Sequence, residues 1–180
     1  VISSGCKESE VFELLETIKP VRGRMELAAT RRNGASVYVD YAHTPEAIEV
    51  ALKSLKPHIL GRLIVIIGAG GERDEGKRPL MGLAAEKNSD FVIITDDNPR
   101  NEDPQLIHQM IKNGIKDKNK VMVIGDRAEA ILKAVDLLGV GDCLLIAGKG
   151  HETEQFVGEN IFPFDDFEQA SLSVSSLDGI

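Results

Sequence analysis

Only two cysteines, Cys6 and Cys143, occur in 180 residues, too few for a disulfide framework and without the spacing of metal ligands. No apolar run approaches the roughly 20 residues needed to cross a bilayer. No stretch has the layout of a secretory signal, so the cytoplasm is the expected compartment. Positive charge is scarce: 21 Lys and Arg stand against 29 Asp and Glu, a net charge of −8. Such a field repels phosphate backbones and argues against general nucleic-acid binding, so any phosphate or carboxylate must be held by a local cluster. Chemical motifs are missing as well: there is no Walker A loop, no nucleophile elbow, no H-E-x-x-H and no C-x-x-C. Hydrolase, zincin and redox readings therefore lack support. An initiator Met is also absent. The chain begins at Val1 and runs straight into an amphipathic stretch, Ser9 to Lys19, so the expectation is a piece of a longer protein.

What is present belongs to a globular domain: 42% of residues are hydrophobic and 28% charged. A chain of this length buries roughly two-thirds of its unfolded surface, enough for a core without staples. Five apolar runs have strand length: Ser36 to Asp40, Arg62 to Ile67, Phe91 to Thr95, Val121 to Ile124 and Cys143 to Ala147. Their near-continuous apolarity marks strands covered on both faces, the habit of parallel sheets. Helix starts follow several of them at Thr44-Pro45, Asp103-Pro104 and Asp126, where a side-chain oxygen can cap free amides. Gly114 and Gly139 occupy positions suited to C-terminal caps. The rhythm predicts an α/β fold with a doubly wound, mostly parallel mixed sheet. Two hairpins are expected at its ends, one turning at Asn33-Gly34 and one at Gly158-Glu159-Asn160, with a last helix from about Asp165. Pro20 and Gly23 mark the expected boundary between a stub of residues 1–20 and a domain of residues 21–180.

Polar groups gather after the buried strands, where ligands of open α/β sheets bind. The loop Gly68 to Arg78 pairs glycines, which let amides approach an anion, with Arg73, Lys77 and Arg78, which can neutralise it. On its residues alone it reads equally as a flexible loop with solvated charges. In Asp97-Asn98-Pro99-Arg100 a proline stiffens two acceptors and a guanidinium into one turn. Arg can grip a carboxylate while Asp and Asn accept from an ammonium, the complement of an amino acid; the alternative is an Asx turn before a helix. Gly148-Lys149-Gly150-His151-Glu152 offers Glu152 to an ammonium and the Gly148 carbonyl beside it. His151 reads either as a turn residue or as a base, and His43 as a ring to stack on a base or as packing. His58 and His108 are expected at the surface.

Taken together, Gly23-Arg24-Met25-Glu26, Asp40 to Pro45, Gly70 to Pro79, Thr95 to Arg100 and Gly148 to Glu152 resemble, in order and spacing, the carboxy-terminal domain of the Mur ligase family. The resemblance runs from about Val21 to the end and implies a Rossmann-like sheet. It implies an ATP-dependent, amide-forming ligase of peptidoglycan synthesis that joins meso-2,6-diaminopimelate to UDP-MurNAc-L-Ala-D-Glu through an acyl phosphate. Carried over by motif, diaminopimelate contacts fall on Arg73, Asp97, Asn98, Pro99, Arg100, Gly148 and Glu152. ATP contacts fall on Arg24, Asp40, His43 and Lys77, less firmly on Arg78, and magnesium is assigned mainly to a central domain that these residues do not contain. Residues 1–20 would be the tail of that central domain, and these 180 residues alone would fold but not turn over. A lysine-adding relative, a folylpolyglutamate synthase and a stand-alone amino-acid or nucleotide-binding module are the alternatives.

Overall fold

The structure, a computed structural model, describes residues 5, 7–15 and 20–179. Cys6 and the 16–19 end of the amphipathic stretch lie outside the described residues; within them the stretch forms α1 (Glu8–Leu15). The chain then builds one large sheet from β1 (Glu26–Thr30), β2 (Ser36–Asp40), β3 (Leu63–Ile67), β4 (Phe91–Ile94), β5 (Val121–Val123) and β6 (Cys143–Ala147). Strand order is β1-β2-β6-β3-β4-β5, parallel from β2 to β5, with β1 antiparallel at one edge. The turn between β1 and β2 passes through Gly34 at φ 85°, a left-handed backbone that suits glycine.

Helices α2 (Pro45–Leu55), α3 (Lys77–Asn88), α4 (Pro104–Asn113), α5 (Arg127–Asp136) and α6 (Asp166–Asp178) cover both faces. Alternate residues of a strand point to opposite faces, so a continuous apolar run feeds two cores. Leu63, Val65 and Ile67 of β3 share one core with Ile48, Met81 and Ile111 from α2, α3 and α4. Ile64 and Ile66 of the same strand turn to the other, with Ile131 and Val135 of α5 and Val174 of α6. The expected caps are in place. Thr44 Oγ1 accepts the Ala47 amide at 3.2 Å, Asp103 that of Gln105 at 2.9 Å and Asp126 that of Glu129 at 2.8 Å.

Several expectations need correction. The glycine-rich loop is a loop only to Gly76, because α3 begins at Lys77. Gly114 does close α4, but at φ −74°, a conformation open to any residue. Glycine is required there for space, since a Cβ would stand 1.8 Å from the Pro79 carbonyl oxygen of α3. Gly139 is not the cap of α5, a place taken by Leu137. The second hairpin, β7 (Glu154–Val157) with β8 (Asn160–Pro163), forms its own two-stranded sheet instead of ending the large one, and Asn160 belongs to its second strand. Part of the free edge of β7 pairs elsewhere, with the segment after β4, where Arg100 bridges Val157 in parallel. His108 is buried, not exposed, because it shares the inward face of α4 with Ile107 and Ile111; its Nε2 lies 2.7 Å from Asp96 Oδ1 without hydrogen-bond alignment. Cys143 is a core residue of β6 whose thiol is pushed up to about 12 by burial and by Asp142 beside it, so it remains an unreactive thiol.

Candidate functional site

The loops that leave β2, β3, β4 and β6 converge at the carboxyl ends of those strands around a cleft of about 240 Å³. Most of the expected site residues line it: Arg73 from the loop after β3; Asp97, Asn98 and Arg100 after β4; Gly148 and Glu152 after β6; His43 after β2; and Lys77 at the start of α3. Asn98, Arg100 and Glu152 also border a second hollow of about 200 Å³ beneath the hairpin. Pro99 stands behind the cleft, where its carbonyl meets the loop after β3 so closely that a Cβ on Gly71 would lie 1.9 Å from the Pro99 oxygen. Arg24 and Asp40 lie outside the lining.

Arg100 is the most constrained residue of the group. Its backbone is left-handed at φ 52°, a conformation that costs a side-chain-bearing residue about 1–3 kcal/mol and persists only where surroundings enforce it. The enforcement comes from β7: the Arg100 amide donates to the Phe156 carbonyl at 3.0 Å, and the Gly158 amide donates to the Arg100 carbonyl at 2.7 Å. The guanidinium lies over Gly70, where a Cβ would be 3.0 Å from Nη1, and Nη1 donates to the Gly71 carbonyl at 2.8 Å. Nε and Nη2 have no partner among the described residues, so two parallel donors remain for a carboxylate. Arg73, exposed at the rim, is likewise unpaired among the described residues.

The acceptors are arranged differently from the expectation for Asn98. Its Oδ1 is consumed by Lys149 Nζ at 3.0 Å and the Phe156 amide at 3.1 Å, and its Nδ2 donates to Glu152 Oε2 at 3.0 Å. Asn98 therefore offers no acceptor to a ligand. The open acceptors are Glu152 Oε1 and the Asp97 carboxylate, which lies against Gly148, where a Cβ would be 2.7 Å from Asp97 Oδ2. Beneath them runs a wholly buried ion pair. Arg127 donates to both oxygens of Asp166 at 2.7 Å, and reaches the carbonyls of Asp96 at 3.1 Å and Ala147 at 3.2 Å. Burial alone would lower the Arg127 pKa, but Asp166, aided by Asp97 and Glu152, raises it above the ordinary arginine value.

Of the expected phosphate-side cations, Arg78 is turned inward. It is fully buried, pairs with Glu102 at 2.8 Å and donates to the Gly70 carbonyl at 3.3 Å, so it braces the loop and faces no ligand. Its place on the first turn of α3 aims it below the loop. Lys77, one residue earlier, stays at the cleft and donates to the His43 carbonyl at 3.0 Å. One Asp40 oxygen accepts the Met25 amide at 2.7 Å, which ties β2 to the segment before β1. Tyr41 forms the centre of an aromatic shelf: His43 lies 4.6 Å from its ring, His151 5.1 Å, and the Arg24 guanidinium 4.8 Å above it. Among the described residues no three His, Cys, Asp or Glu converge as metal ligands. No helix among them is long and apolar enough to cross a membrane.

Residues 23–150 match the family described as Mur ligase, glutamate ligase domain. The chain belongs to the Mur ligase family. Among curated Mur ligases it is 49% identical over 175 residues to UDP-N-acetylmuramoyl-L-alanyl-D-glutamate--2,6-diaminopimelate ligase of Bradyrhizobium diazoefficiens, covering 97% of this chain and 35% of that one. The Coxiella burnetii ligase of the same name is 50% identical over 160 residues, covering 89% and 32%. A solved structure of a ligase with that name superposes at a TM-score of 0.82 with 36% identity, covering 97% of this chain and 36% of the other. The chain thus spans about a third of the length of the curated Mur ligases it matches. Two residues central to this Mur ligase domain had no assigned role from sequence: Lys149 and Arg127. A lysine between two glycines and an arginine after an N-cap carry no signal of burial; only the fold brings Asn98, Glu152 and Asp166 to them.

Proposed function

We propose that this chain is the amino-acid-binding domain of an ATP-dependent ligase that adds meso-2,6-diaminopimelate to UDP-MurNAc-L-Ala-D-Glu. In this reading residues 21–180 form the carboxy-terminal domain, and residues 1–20 lead out of a preceding ATPase domain. One observation carries it: two guanidinium groups without a carboxylate partner among the described residues, Arg73 and Arg100, share a cleft with Asp97 and with the free Oε1 of Glu152. Diaminopimelate has two ammonium and two carboxylate groups, so one end can be fully paired while the other amine points out of the cleft. Arg100 takes the carboxylate that lysine lacks, through Nε and Nη2; with lysine in the cleft those donors stay dry and unpaired, which is how a site rejects an analogue. Glu152 Oε1 and Asp97 take the ammonium of the same end, and the Gly148 carbonyl lies beside them.

The shelf of Arg24, Tyr41 and His43 beside Lys77 fits a purine and its phosphates: flat rings for the base, cations for the anion. ATP, when bound, supplies the phosphoryl group that activates the glutamate carboxylate. The work of this chain is to hold the amine in line with that carboxylate and to exclude competing acceptors. The test is acceptor use by the complete protein carrying this chain, wild type and Arg100→Ala, with diaminopimelate, lysine and glutamate. Arg100→Ala is expected to lower kcat/KM for diaminopimelate by about 2–3 kcal/mol, the scale of a charge-assisted pair, and to narrow its margin over lysine. Unchanged diaminopimelate kinetics, or a wild type that prefers lysine or glutamate, would overturn the assignment.

A further inference from the structure

We propose that Lys149 is a positioning residue that aims Glu152 into the cleft, acting in part through the Asn98 side chain. The inference rests on the reading above, in which Glu152 receives the substrate ammonium. Lys149 lies between Gly148 at φ 121° and Gly150 at φ 55°, and this pair of left-handed residues turns its side chain inward until it is fully buried. An ammonium has three protons, and Lys149 Nζ has three acceptors: the Glu154 carbonyl at 2.6 Å, Asn98 Oδ1 at 3.0 Å and Glu152 Oε2 at 3.2 Å. A buried charge with every proton satisfied and a carboxylate partner is a rigid anchor.

The rigidity is passed on by geometry. Asn98 Oδ1 accepts from both Lys149 and the Phe156 amide, so flipping the amide would set its NH2 against two donors. The flip is excluded, and Nδ2 has to donate to Glu152 Oε2. Two donors on Oε2 orient the carboxylate and leave Oε1 for the ligand. Lys149 also supplies the charge that lets Glu152 stand near Asp97 before any ammonium arrives. Without it, the charge of the two carboxylates at the mouth of the site would be balanced from below by Arg127 alone, which is already committed to Asp166.

The experiment is steady-state kinetics of the complete protein with Lys149→Met, Glu152→Gln, Asn98→Asp and the Lys149→Met/Glu152→Gln pair. Lys149→Met is expected to lower kcat/KM for diaminopimelate about a hundredfold while KM for ATP moves less than about twofold. On the Glu152→Gln background the same change should add less than about threefold, because its target is already gone. Asn98→Asp keeps the acceptor for Lys149 but removes the donor to Glu152, so it should reproduce the selective loss and serves where Lys149→Met does not fold. Equal losses toward ATP and diaminopimelate, or effects that multiply in the double variant, would overturn the proposal. If the wild type instead uses another amino acid, the substrate reading fails, and the same cycle run with that acceptor still decides the role of Lys149.

Discussion

A guanidinium buried without its carboxylate is far costlier than a well-packed apolar pair, and Arg127 with Asp166 tests that asymmetry directly. Both side chains are fully buried, and Arg127 also ties down the Asp96 carbonyl just after β4 and the Ala147 carbonyl that ends β6. Arg127→Met should therefore lose about 3–5 kcal/mol by leaving Asp166 alone, whereas Arg127→Met with Asp166→Leu should recover most of that loss. Urea unfolding of the three proteins measures it; a double variant no better than the single would disprove the account. Residues of this kind mark the limit of what sequence reveals. Arg73, Arg100, Asp97 and Glu152 were legible as residues of one cleft because they follow buried strands. Asn98 was misread as a ligand acceptor, since nothing in the sequence shows that Lys149 and the Phe156 amide reach its oxygen first. Arg78 was misread as a phosphate cation for a similar reason: the helical turn that points it inward begins at Lys77, and the preceding glycines hide that start.

At the scale of elements, strands were the most legible part, with Ser36–Asp40 and Cys143–Ala147 bounded as expected and the others within a residue or so. Their buried, two-sided character leaves few alternatives. Helix α3 had no start of its own in the sequence, because no side chain caps it and Gly82 within it weakens helical propensity. The structure explains that glycine: a Cβ there would sit 2.1 Å from the Ile111 carbonyl oxygen, so Gly82 and Gly114 together let α3 and α4 pack backbone to backbone. Gly82→Ala should gain helix propensity yet destabilise the protein by about 3 kcal/mol, as overpacking outweighs propensity. Thermal unfolding checks the sign, and a variant as stable as the parent would refute the close-approach account. The hairpin of β7 and β8 was found from its turn but misplaced, since turn chemistry says where a chain reverses and not what its outer edge will pair with.

For the molecule as a whole, net charge says less about stability than where the carboxylates sit. Burial alone would raise Asp142, but the Arg62 side chain and the amides of Arg62 and Gly139 hold it below its ordinary range. Glu102 is lowered by Arg78 and by the Glu72 amide, and Asp90 is lowered by the Leu63 amide and Lys56 against its own burial. A carboxylate with a depressed folded pKa stabilises above its unfolded pKa and loses that stability as pH falls through the folded one. Stability should thus be flat near neutrality and decline below about pH 4, and a urea midpoint rising on acidification would contradict this. The resting of Arg100 on Gly70 has a consequence for descent with modification. A Cβ at position 70 would stand 3.0 Å from Arg100 Nη1, so a side chain there asks the guanidinium to give by a few tenths of an ångström, and a lineage that replaced Arg100 would release position 70 from that demand. Positions 70 and 100 are expected to vary together among relatives, as two halves of one inherited character.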